Sequence, residues 1–292
     1  DRHPLDLRGA TVEGLSATDA HLAVPIRLDD AEIGSVSLDG ATVTEPFHAD
    51  RAIVEGSLSA FDARFRDEFE AEGAVFRGPV TLDEAVFHQD VTFDDAAFGG
   101  TVSAQASEFY GDSNLFDDNT SFTGAAFRDT VTFQQTTFGA VHFEEATFTA
   151  RANFQDGTFD GDVEFTDAQF EATADFDEIT VDEDIAFDDV AFGGPAQFRG
   201  AVFAGGQRTL EDDTTFARAV FADDVSFAAA AFRFATFEDA VFQGQVEFRE
   251  AAFDDDARFE RVVFHGEAVF AEVRVRGDAA FDDAVFHERC EF

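Results

Sequence analysis

Lysine, tryptophan and methionine are absent from this chain of 292 residues, and cysteine and tyrosine occur once each. A lone Cys290 excludes an intrachain disulfide and any site built on paired thiols, and leaves the redox compartment open. No apolar run approaches the roughly 20 residues of a membrane-spanning helix, and no secretory leader pattern is visible at the start. Basic residues are scarce: 19 arginines stand against 62 acids, for a formal charge of −43. Nucleic-acid binders carry basic surface, so direct binding to a phosphate backbone is disfavoured. Also missing are a nucleophile elbow, a phosphate-cradling glycine loop and HExxH.

What is abundant is phenylalanine, with 40 copies. From Phe143 to Phe203 it recurs at steps of five or six residues, with Val181 filling the single gap. Two positions before each sits a small or β-branched residue, as in Ala146, Val163, Ala168 and Ile185. The pattern extends in both directions. Over residues 1–43 leucine, isoleucine and valine take the phenylalanine place, and residues 44–292 are mostly phenylalanine-type double repeats of eleven. At Phe47-Ala49 and Phe69-Ala71 large and small exchange places, which conserves volume within a layer. Only Phe61 and Phe234 fall outside the two repeating positions.

Inward residues two apart fit a strand and not a helix. A five-residue side is too short to stand alone, so successive turns must stack. Units such as Ala41-Thr42-Val43 and Ala146-Thr147-Phe148 resemble the pentapeptide-repeat family, in its phenylalanine-rich form with eleven-residue double repeats. The resemblance covers essentially the whole chain. It implies an all-β fold, a right-handed quadrilateral β-helix with four sides per coil, as one domain over 1–292 and about 13 coils. Neighbouring coils then lie about 4.8 Å apart, so rings can stack along the axis and the core needs no cofactor.

Two intervals of thirteen residues, Phe109 to Phe122 and Phe203 to Phe216, interrupt the count. Each reads as two steps with a small bulge near 110–115 and 204–209, marked by glycine, aspartate, serine and asparagine. On that count the six-residue steps move to other sides of the coil after the first bulge and return after the second.

Acidic pairs such as Asp94-Asp95 and Asp188-Asp189 lack the pocket that would set two carboxyl pKa values apart. His265 and His287 fall on one side of adjacent coils, about 5 Å apart at the backbone, yet two ligands without a third make no metal site. Cys290 fills an inward small-residue place. On the side of those histidines, the outward positions before the phenylalanines are Val220, Val241, Val263 and Val285, flanked by Gln243, His265 and His287. A low-charge valine stripe on a −43 surface points to a contact face for a protein partner or a second copy, a homodimer included. Valine also simply favours strands.

The reading is therefore a non-catalytic scaffold for protein–protein interaction, whose acidity and missing lysine fit a salt-rich setting such as a halophile's. The resemblance implies a rival: family members that imitate DNA and bind DNA gyrase. A cytoplasmic setting is favoured. An extracellular one fits if the chain, which lacks a starting methionine and ends on a repeat position, is a mature or excised piece.

Overall fold

The structure, a computed structural model, describes residues 3–111, 120–206 and 214–292. These hold 51 strands of two residues each and no helix. The chain divides into two compact units, Asp1–Thr149 and Ala150–Phe292, built on the same plan.

In the first unit the opening strands Leu5–Asp6, Thr11–Val12, Leu15–Ser16 and His21–Leu22 start four separate sides, and each later strand joins one of them in turn. Pairing is parallel and in register, as in Leu5 with Ile26 and Ile53 with Val75. In the second unit the sides take Val163–Glu164, Gln169–Phe170, Ala174–Asp175 and Thr180–Val181 as first to fourth. Each side buries two residues around one outward residue, so sequence neighbours point opposite ways. The expected four-sided all-β solenoid is what forms.

Two kinds of corner alternate. After the first and third sides the chain closes a hydrogen-bonded turn, for example Ala31 N to Leu28 O at 2.9 Å. Its third residue has a left-handed backbone, as at Asp30 (φ 58°), Ala106 (φ 53°) and Ala229 (φ 58°). That turn needs only five residues. The corners after the second and fourth sides carry no such residue in their regular form, and there the six-residue steps fall, from Val54 to Ala60 and from Phe65 to Ala71.

The side assignment corrects the count across the thirteen-residue intervals. Phe109 ends the fourth side and Phe122 lies on the first, stacked on Phe93 at 5.3 Å. In the second unit Phe216 likewise stacks on Phe187 at 4.8 Å. Each interval is thus one step with an insertion at a fourth-to-first corner. The six-residue steps accordingly stay on the same two corners before and after it, and the intervals shift no register. Of the expected bulge residues, Asp112, Ser113, Asn114, Leu115, Gln207, Arg208 and Thr209 lie outside the described residues.

The core is made of ring columns. In the second unit Phe154, Phe176 and Phe198 stack along the third side at 4.8 and 5.0 Å, with planes within 2°. Rings on the opposite side meet them edge-on, Phe165 against Phe176 at 5.5 Å and 86°. Both arrangements avoid face-to-face overlap of like quadrupoles, and each adds about 0.5–1.5 kcal/mol beyond ring burial. In the first unit Phe47 stacks on Phe69 at 4.8 Å, after which Val91 takes that place and Phe93 moves to the other inward position. The large–small exchange is real. Of the two residues outside the pattern, Phe61 is exposed and Phe234 lies beneath the guanidinium of Arg258 at 4.7 Å.

Part of the acidity is structural. In several of the five-residue turns the amide after the second inward residue is accepted by an aspartate one coil earlier. Asp83 accepts from Gln105 N at 2.8 Å, Asp94 from Thr123 N at 3.0 Å, Asp177 from Arg199 N at 2.8 Å and Asp188 from Ala217 N at 3.2 Å. Hydroxyls of Ser103 and Thr215 add a second bond to these carboxylates, each at 2.5 Å. These aspartates therefore act as caps, satisfying donors that would otherwise stay unpaired.

Candidate interaction face

Parallel pairing at a spacing of 21 or 22 residues turns repeat positions into columns. On the second side of the second unit Val220 pairs with Val241, Val241 with Val263, and Val263 with Val285. The four expected valines therefore form one unbroken outward stripe. Val220, Val241 and Val263 are partly exposed and Val285 is 43% exposed. Behind them Phe221, Phe242, Phe264 and Phe286 stack at 4.8, 5.2 and 4.6 Å, which fixes the backbone from inside.

Gln243, His265 and His287 are exposed beside the stripe. Their amides bond to the preceding coil, Gln243 N to Phe221 O at 2.8 Å, His265 N to Phe242 O at 2.8 Å and His287 N to Phe264 O at 2.9 Å. The two imidazoles lie parallel, with centroids 4.8 Å apart and planes within 2°. No third metal-ligating side chain joins them among the described residues. Their stacked rings instead extend the weakly polar surface of the stripe.

The other border of the stripe was not anticipated. The left-handed corner residues before the valines are Arg218, Asp239, Arg261 and Asp283, alternating in sign. Arg218 binds Asp189 at 2.7 Å, and Arg261 binds Asp239 at 2.8 Å as well as Glu238. The Arg261 guanidinium holds the Asp239 carboxyl below its ordinary range, and Arg218 does the same for Asp189. An apolar stripe bordered by paired charges has the layout of an interface core with its rim. The signal was available in the spacing of 218, 239, 261 and 283, but these positions read as ordinary polar corners until the sides were assigned.

The third side of the second unit carries a shallow groove of about 320 Å³, lined by Gln197, Arg199, Asp224, Gln245 and Glu247 among others. Arg199 there is already committed to Asp177 at 2.9 Å through its Nε, so the groove offers no free cation to a substrate.

Compared with protein families, the chain matches the model for pentapeptide repeats (9 copies) over residues 71–117, 115–158, 139–180 and 248–292, together just over half its length. The chain belongs to the pentapeptide-repeat family. Solenoids of the pentapeptide-repeat family are generally non-catalytic, in keeping with a core filled by stacked rings. No curated protein matches the chain.

Proposed function

We propose that this pentapeptide-repeat protein is a rigid, non-catalytic scaffold that binds a protein partner, or a second copy of itself, through the valine stripe of its second unit. The in-register column Val220, Val241, Val263 and Val285 carries the reading, because it lines up apolar side chains on a chain of charge −43. The Arg–Asp rim supports it, since Arg218 and Arg261 close onto Asp189 and Asp239 within the chain and offset part of the border's acidity. The acidic remainder serves a salt-rich medium, and direct nucleic-acid binding is no part of the role. Aspartates turned onto backbone amides favour this reading over imitation of DNA, which needs carboxylates projecting as phosphates do.

The test is Val241→Asp combined with Val263→Asp, compared with the parent by sedimentation velocity and partner capture from low to high salt. Association of the parent should strengthen as salt screens the repulsion between copies or partners. The double variant should lose it while keeping its circular dichroism. An unchanged sedimentation profile with unchanged capture refutes the stripe as an interface, and inhibition of gyrase supercoiling by the parent would favour the DNA-like alternative.

A further inference from the structure

The first unit contains a cluster that the interaction face does not involve. His48 and Glu70 occupy the same outward position on successive coils, paired Cα to Cα, and Glu68 stands two residues before Glu70 at the corner. The backbone holds all three in place: Phe47 N donates to Glu68 O at 3.0 Å and Ala49 N donates to Glu70 O at 2.7 Å. A carboxylate faces each nitrogen of the imidazole, Glu70 Oε2 at 2.5 Å from Nδ1 and Glu68 Oε1 at 3.6 Å from Nε2. The His48 side chain is 21% exposed, and those of Glu68 and Glu70 are 43% and 40% exposed. Taking one ligand atom from each residue, all three lie within 4.8 Å of one another, and no other group of three does so among the described residues.

We propose that His48, Glu68 and Glu70 bind a divalent cation of the zinc class, such as Zn²⁺, Co²⁺ or Ni²⁺. One imidazole nitrogen with two carboxylates suits a borderline cation, whereas Mg²⁺ and Ca²⁺ prefer oxygen alone. Bonds of about 2.0–2.2 Å bring ligand atoms to roughly 3–3.5 Å from each other. The present span closes by rotation of the two glutamate side chains, which are exposed enough to turn, without movement of the backbone. Water completes the coordination. Arg27 pairs with His48 from the preceding coil, so the cation belongs on the Glu70 side of the ring. Burial and the adjacent Glu70 carboxylate push the Glu68 carboxyl above its ordinary range, with His48 acting the other way. A cation between the two carboxylates would relieve that repulsion.

A chain of charge −43 collects divalent ions loosely over its whole surface, so the experiment must separate one built site from that background. Zn²⁺ is titrated calorimetrically into the whole chain under a large excess of Mg²⁺, and Co²⁺ is followed by its visible absorption. The expected result is one Mg²⁺-resistant site. It should weaken by at least about tenfold in His48→Ala and in Glu68→Gln combined with Glu70→Gln, which keeps side-chain shape. His142→Ala, on the same side and beside Glu144 at 3.1 Å, should leave it unchanged. The proposal is overturned if the parent shows only Mg²⁺-displaceable binding, or if both the alanine and the glutamine variants bind as the parent does.

Discussion

Glycine at the corner after the second side of the first unit offers the sharpest test of coil packing. Gly34, Gly56, Gly78 and Gly100 follow one another there on successive coils. A Cβ built on Gly78 would lie 2.3 Å from Gly56 O and 2.6 Å from Gly56 C, both backbone atoms that no rotamer can move. Gly73, in the same unit, has φ +62°, and its added Cβ would meet nothing nearer than Arg51 Cγ at 3.5 Å. Gly73→Ala should therefore cost only left-handed strain, about 1–2 kcal/mol. Gly78→Ala has no backbone strain of its own, but must push apart two coils that are tied at 2.9–3.0 Å on either side of it, by Arg77 N to Val54 O and Leu58 N to Pro79 O. Overpacking typically costs about 1–3 kcal/mol, occasionally more, and a contact with backbone atoms at 2.3 Å belongs at the upper end, so Gly78→Ala should be the worse of the two by about 1 kcal/mol. Urea unfolding followed by circular dichroism, with both arms fitted for a repeat protein in place of an assumed two-state transition, supplies the comparison. Equal midpoints for the two variants, or a smaller loss at Gly78, would refute the view that backbone contact between coils demands glycine there.

Two further predictions separate structural from decorative features. Asp94→Ala removes the acceptor for Thr123 N and the Ser121 hydroxyl and should cost about 1–2 kcal/mol, whereas Asp94→Asn keeps an acceptor and most of the stability. If the aspartate mattered only as one of 62 acids, both variants would relieve repulsion and stabilise alike in low-salt thermal unfolding. Val181, between Phe159 and Phe203 in the fourth-side column, is buried together with Ile179, which stands where the two adjacent coils have Gly157 and Ala201. Val181→Phe alone should overpack by about 1–3 kcal/mol. Adding Ile179→Ala should recover most of that, a coupling that a double-mutant cycle reads directly.

The repeating positions carried nearly all of the fold in the sequence, because a residue that faces inward on every coil is bound to one kind of side chain. The same logic makes the valine stripe legible in the sequence, since Val220, Val241, Val263 and Val285 are spaced by one coil each. The thirteen-residue intervals misled for a physical reason. Composition marks a stretch as turn-like without saying whether it leaves the coil or forms a side of it, and Phe93 on Phe122 decides this only through the stack. The cluster of His48, Glu68 and Glu70 was hidden differently. Glutamate and histidine on an acidic surface look like solvated side chains until register pairs position 48 with position 70.

That contrast says where chemistry can arise in such a fold. The interior is closed to it, since each inward place holds a ring, a branched aliphatic or a small residue. What remains is the outward positions, and parallel register sets each of these beside its equivalent at the coil spacing. A single residue is thereby amplified into a column, apolar at the valines and aromatic at His265 and His287. Only a departure from column monotony brings unlike groups together. His48 beside Glu70 is such a departure, because Arg27, His48, Glu70 and Thr92 succeed one another in a single column with no residue repeated. In a filled solenoid, therefore, repetition along an outward column is what the proposed interaction face draws on, and irregularity along one is what the proposed cation site draws on.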